Sequence, residues 1–369
     1  MVSFDLSDEQ RMVQETVASF ARDQIEPLAH ESEESGAVPE EVIAKGWELG
    51  LLGGCIPEEY DGFGEGLSAL TNVIATEELA AGDLAIAMHL MSPTALAYSI
   101  LDQGTEEQKK EFLPAYCGES FKPSSCALIE PKYDFCPSAI ATTAEREYGE
   151  YVLNGKKCLA ILAAESDLLL VFAATASGMG FAGVDGFILP GDTKGMEIGE
   201  REKNMGLNAL ATYPVSFKDC RVPASSRLGG DAGSDFLRLL SRSRLALAAL
   251  AVGMSKRAVA HSRDYARDRV AFGEPIGSRQ AIAFMLAEMA IEVDASRLLT
   301  WEAAWRCDRN FDFSKEASMA KNYAADTAMM VGDRSVQIMG GHGYIRENPV
   351  ELWFRNSRGL ATFDGMIMV

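Results

Sequence analysis

Val336-Gln337-Ile338-Met339-Gly340-Gly341-His342-Gly343-Tyr344, followed by Arg355-Asn356-Ser357-Arg358 and then Thr362-Phe363-Asp364-Gly365, is the stretch on which the reading of this chain turns. Its first part reads as a helix running into a turn of closely spaced glycines, residues that let backbone approach a ligand where a Cβ would intervene. Its last part sets one carboxylate, Asp364, before a glycine, a pair that by itself is an ordinary turn. The functional question is whether that carboxylate does chemistry or only turns the chain.

At 369 residues the chain exceeds one typical domain, so two or three structural units are expected. A hydrophobic fraction of 47% with 24% charged residues reads as a soluble globular protein. The 34 basic against 54 acidic residues give a formal charge of −20, which argues against nucleic acid or an anionic membrane as the main partner. Seven scattered cysteines without a C-x-x-C pair predict free thiols in a reducing compartment. His30, His89, His261 and His342 lie far apart, and no metal site is expected. The first residues carry no basic segment followed by an apolar run, and no stretch approaches the roughly 20 apolar residues of a membrane span. A cytoplasmic location follows as the expectation.

From Ser7 to about residue 120 the pattern is helical, with Ser7 capping an acidic first turn and Met12, Val13, Val17, Phe20 and Ile25 recurring at mostly helical spacing. A loop rich in glycine interrupts it at 50–64. Helical patterning resumes from about Ser68 to Ile100, and Thr105 is placed to cap a short helix that ends near Pro114. Beyond Gly118 the period changes. Cys126–Ile129, Tyr151–Leu153, Leu168–Phe172, Gly186–Leu189 and Tyr213–Phe217 are short apolar runs split by turn residues, which predicts a compact β domain. Helices return at about 236–268, 279–307, 315–339 and 349–360. The run Leu245–Val252 is apolar on more than one face, which suggests burial in an oligomer.

Five segments, in this order and spacing, resemble the acyl-CoA dehydrogenase family over essentially the whole chain. They are Phe4-x-Leu6-Ser7-x-Glu9-Gln10, Gly104-Thr105-Glu106-Glu107-Gln108, Glu130-Pro131, Tyr265-Ala266-x-x-Arg269-x-x-Phe272-Gly273-x-x-Ile276 and Gln337-x-x-Gly340-Gly341-x-Gly343. The resemblance implies an α+β fold of three parts: an N-terminal helical domain (1–120), a central β domain (121–224) and a C-terminal four-helix bundle domain (225–369). It also implies FAD as cofactor, an acyl-CoA thioester as substrate, a tetramer, and an electron-transfer flavoprotein as acceptor. In that family a base takes the thioester's α-proton while the flavin takes a hydride from the β-carbon. The enolate oxygen is stabilised by preorganised donors.

The resemblance places Asp364 where the family carries its catalytic base, usually glutamate. Aspartate is one methylene shorter, a displacement of roughly 1 Å, and a misplacement of that order can cost about a hundredfold in rate. Arg244 falls on a helix that lines the CoA pocket and is the candidate substrate-binding residue. No acid occurs in Ser241-Arg242-Ser243-Arg244, so the alternative base position of some family members is closed. Glu351, Arg355 and Arg358 read as surface pairs of little weight. Arg279 has no assigned role.

The flavin contacts implied by the resemblance divide in two. Those that reach a neighbouring subunit's flavin are present: Arg269 for charge-assisted bonds to a diphosphate, Phe272 packing against it, and Gln337 with Gly340 and Gly341. Those that hold the subunit's own flavin are mostly replaced. Ile129 stands for a threonine, Leu159 and Ile161 for a tryptophan and a threonine, and Met366 and Met368 for a hydroxyl and an amide. No tryptophan lies between Trp47 and Trp301, so a small alignment shift cannot supply the missing ring. Each lost donor leaves a polar flavin edge unpaired, at about 1 to 3 kcal/mol. Three readings stay open: one half of a heteromeric enzyme completing a paralogous partner's FAD site, a homotetramer with Asp364 as base and an unusual acyl group, or a non-catalytic paralogue that binds acyl-CoA.

Overall fold

The computed structural model describes residues 5–64 and 66–369; Phe4 of the opening motif lies outside them. Helix α1 (Asp8–Phe20) starts on a capping box, in which Gln10 N–H donates to Ser7 Oγ at 3.2 Å and Ser7 N–H to Gln10 Oε1 at 3.0 Å. A turn of π-helix at Ala21–Ile25, unannounced in the sequence, leads through α2 (Ala29–Ser35) to α3 (Glu40–Glu48). The stretch from Ser68 to Ile100 is broken twice, giving α4 (Ala69–Gly82), α5 (Leu84–Leu90) and α6 (Thr94–Gln103). Asp83 makes the first break by capping α5, accepting Ile86 N–H at 2.9 Å. Pro93, which has no N–H to give, sits at the second, where α5 and α6 meet at 44°. Thr105 caps α7 (Glu106–Phe112) in a second capping box with Gln108.

The β unit contains β1 (Ser124–Ala127), β2 (Thr143–Glu147), β3 (Glu150–Ile161), β4 (Leu168–Ala174), β5 (Val184–Pro190), β6 (Met196–Ile198) and β7 (Thr212–Pro223). An antiparallel group β2-β3-β7-β6 and a group β1-β4-β5 meet at the single pair Thr143↔Ala174. The polar β2 and the three-residue β6 lacked any apolar run to mark them. Glu130 of the Glu-Pro motif is fully engaged by protein. It accepts the N–H groups of Ala141 and Thr142, the Thr142 hydroxyl and, at 3.2 Å, the ammonium of Lys157. Burial pushes the Lys157 pKa down to about 8 against the pull of Glu130.

The C-terminal unit is α8 (Phe236–Asp268), α9 (Gln280–Asp308), α10 (Ser314–Met339), a short α11 (Gly341–Tyr344) and α12 (Val350–Thr362). A hairpin of β8 (Val270–Ala271) and β9 (Glu274–Pro275) links α8 to α9. The Leu245–Val252 run is buried inside this chain, between α4 and α10, so its all-round apolarity is met without a second subunit. Gly253 permits the close crossing, since a Cβ there would lie 2.0 Å from the Glu77 carbonyl oxygen. Helix α9 instead leaves Phe284, Ile291 and Leu298 exposed at seven-residue intervals. Among the described residues no single helix is long and apolar enough to cross a membrane.

Candidate functional site

Three elements converge on Asp364. The chain leaves α12 extended at Phe363, and the Asp364-Gly365 turn is pinned by Gly365 N–H donating to Ser243 Oγ of α8 at 2.8 Å. One residue on, Arg244 points its guanidinium at the carboxylate. Nε meets Oδ1 at 3.2 Å and Nη2 meets Oδ2 at 3.2 Å, while Nη1 donates to Ser318 Oγ of α10 at 2.9 Å. The pair is largely shielded, with 18% and 13% of the two side chains exposed. Lys321, one turn along α10 from Ser318, is buried and donates to the Ala361 carbonyl at 3.1 Å. Burial lowers its pKa, and the charge of Asp364 opposes that shift. Asp364 thus has both oxygens bound by a planar bidentate donor. To take a proton from a substrate it must first give up that pair. Arg244, expected to face substrate, is turned onto the carboxylate instead.

The positions that correspond to the subunit's own flavin contacts are apolar in space as well as in sequence. Ile129, Ile161, Met366 and Met368 are buried, the first three in one hydrophobic cluster. Leu159 lies in a bulge of β3 at φ +54°, its N–H leaving the ladder to donate to Glu202 Oε2 at 3.0 Å. It borders a hollow of about 170 Å³ shared with Asn204, Met205, Arg355, Thr362 and Phe363. That is smaller than the roughly 300 Å³ at which ligand pockets usually begin. Nor is Arg355 a bland surface pair, as its sequence context suggested. It joins Glu351 at 2.8 Å to the buried Glu33 and to the Met205 carbonyl at 3.1 Å, closing this edge of the hollow.

The other set sits together on the surface. Phe272 and Gly273 turn the β8–β9 hairpin with φ of +56° and +87°, and the Phe272 ring is 97% exposed. An aromatic residue held in the left-handed region and facing water is strained, and such positions cluster at functional sites. Arg279, unassigned in the sequence, supports this hairpin: it pairs with Glu274 at 3.0 Å and lies 6.0 Å from the Phe272 ring centroid. Arg269 is exposed and has no ion-pair or hydrogen-bond partner for its side chain among the described residues. Gln337 and Gly340 are also exposed, and Gly340 adopts φ +58° with open space where a Cβ would be. The two motifs meet where Tyr265, one turn before Arg269, packs edge-on against His342 at 6.1 Å. These residues fit a diphosphate presented from outside the chain; the own-ring positions do not fit a flavin edge.

Among the remaining histidines, His89 is buried against Phe121 and its Nδ1 has no partner. Burial lowers its pKa to about 4. Among the described residues no cluster of His, Cys, Asp and Glu could hold a metal, and all seven cysteines are free.

Family models described as acyl-CoA dehydrogenase N-terminal, middle and C-terminal domains match residues 7–120, 125–220 and 234–368. An acyl-CoA dehydrogenase of Bacillus subtilis (strain 168) is 34% identical over 363 residues, covering 98% of this chain and 95% of that one. The solved structure titled for the electron transferring flavoprotein of Acidaminococcus fermentans contains a chain that superposes with TM-score 0.89 at 34% identity, covering 98% of this chain and 95% of its own. The FAD complex of PigA superposes with TM-score 0.89 at 25% identity, covering 98% and 95%. The fold and the site together define a flavoprotein of the CH–CH oxidoreductase class. The chain belongs to the acyl-CoA dehydrogenase family.

Proposed function

We propose that this chain is one subunit of a heteromeric acyl-CoA dehydrogenase, assembled with a paralogous partner whose FAD site it completes. The observation that carries the reading is the bidentate Arg244–Asp364 pair, which holds the carboxylate at the base position in a structural contact. The apolar hollow beside Leu159 and the outward-facing Arg269, Phe272, Gln337 and Gly340 point the same way. Bound in the partner's site, FAD would supply the acceptor for the β-hydride. This chain's Arg269 would place positive charge and planar donors on the diphosphate. Gln337 would add an amide, and the backbone at Gly340 and Gly341 would approach without a Cβ in the way. The hairpin, braced by Arg279, would hold Phe272 against the cofactor and away from water. The α-proton of the acyl-CoA would go to the partner's carboxylate. The assembly is a cytoplasmic tetramer, with an electron-transfer flavoprotein as acceptor.

Visible absorbance of the purified chain, alone and co-expressed with its neighbouring paralogue, tests this. The expected result is a colourless protein alone and a yellow complex. A yellow protein from this chain by itself would favour a homotetramer with a working Asp364.

A further inference from the structure

The first helical unit encloses a cavity of about 490 Å³, within the roughly 300 to 1,000 Å³ of pockets that enclose drug-sized ligands. It lies where α5 and α6 bend apart at Met91–Pro93. Its walls are apolar and aromatic, with Trp47, Leu79, Leu90 and Tyr98 at the sides and Met368 at one end. Arg244, Ser318, Lys321 and Asp364 do not border it. Met368 connects the two regions, since it lies four residues beyond Asp364, a span of at most about 14 Å of extended chain. Its N–H is fixed on Thr94 Oγ1 at 3.0 Å and its sulfur lies 3.4 Å from Ser99 Oγ, so this end of the cavity is firmly placed.

One polar group in the wall is unsatisfied. Asn72 accepts from the Cys55 thiol at 3.5 Å through Oδ1, but its Nδ2 is buried without a partner. A buried donor in that state is unusual in folded proteins and is satisfied by any acceptor that enters beside it. Glu48 and Glu119 are the charged side chains among the lining residues, so an anionic ligand meets repulsion there. We infer that this cavity binds a bulky, neutral, largely apolar group bearing a single acceptor oxygen, a ketone or hydroxyl, that receives a hydrogen bond from Asn72 Nδ2. On the acyl-CoA reading it takes the far end of the acyl group; the inference rests on that reading for this identification alone.

The neutral naphthyl ketone 6-propionyl-2-(dimethylamino)naphthalene and its ketone-free parent, 2-(dimethylamino)naphthalene, test the site by fluorescence titration of the full chain, without thioester or flavin. The wild type is expected to bind the ketone about tenfold more tightly than the parent, the factor corresponding to one hydrogen bond. Asn72→Leu should abolish that difference while keeping the parent's affinity, and Leu90→Trp should lose both probes, each variant being checked by circular dichroism. Equal affinity for the two probes in the wild type, or unchanged binding in folded Leu90→Trp, would overturn the inference. Failure here leaves the assignment of flavin between subunits untouched, because no flavin enters the measurement.

Discussion

Arg244 and Asp364 face each other through two contacts of 3.2 Å, and the third guanidinium nitrogen is held by Ser318 at 2.9 Å. Removing one member of a shielded ion pair strands the other's charge, which costs about 3 to 5 kcal/mol. Arg244→Met should therefore lower the thermal midpoint by several degrees, and Arg244→Met with Asp364→Asn should recover most of that loss. A double-mutant cycle read by thermal unfolding checks it. If the two effects simply add, the pair is not coupled and the structural account of Asp364 fails.

Asp364→Asn keeps the size and removes the charge. In the assembled enzyme, turnover should stay within about twofold of wild type, since the proton goes elsewhere and no transition-state interaction is lost. Steady-state assay of the co-purified complex with an artificial electron acceptor measures this. A loss of a hundredfold or more would restore Asp364 as the base.

The outward arms predict a loss felt across the interface. Arg269→Ala and Gln337→Ala should leave this chain's own melting unchanged, as Arg269 contacts no described side chain. They should weaken FAD retention in the complex by about tenfold to a hundredfold for the arginine, the range of a charge-assisted hydrogen bond, and by less for the glutamine. Flavin released on dilution, followed by its fluorescence, gives the answer.

The main lines of the fold were legible because its signals are local. Ser7 with Gln10 and Thr105 with Gln108 announce their helices by capping chemistry, and the long C-terminal helices announce theirs by period and composition. The breaks at Asp83 and Met91–Pro93 were hidden in apolar sequence, and the polar β2 and brief β6 had no apolar run to mark them. For the site, the sequence separated outward contacts from inward ones, and Arg269, Phe272 and Gln337 do lie on the surface. It did not foresee that Arg244 turns onto Asp364, since the two are 120 residues apart and only the packing of α8, α10 and the tail brings them together. Arg279 and Arg355 were opaque for the same reason: their partners, Phe272 and Glu33, are chosen by tertiary contact.

Asp83 gives a pH dependence with a definite sign. Burial raises its pKa to about 6 from 3.8, with Glu33 adding to the shift and the N–H groups of α5 opposing it. Between those values the folded state holds more protons than the unfolded chain, so this group's contribution to stability falls as pH rises from about 4 to 6. Asp83→Asn retains a capping oxygen without the charge. Its stability relative to wild type should rise through that window and level off above about pH 6. Urea unfolding at a series of pH values reads it, and a difference that is flat with pH would contradict the assignment.

The flavin count per subunit tests the division of labour most directly. The complex co-purified with the neighbouring paralogue should carry one FAD for each pair of unlike chains, and this chain alone should carry none. One FAD per chain, in the complex or in the isolated protein, would contradict the account and return Asp364 to the role of base.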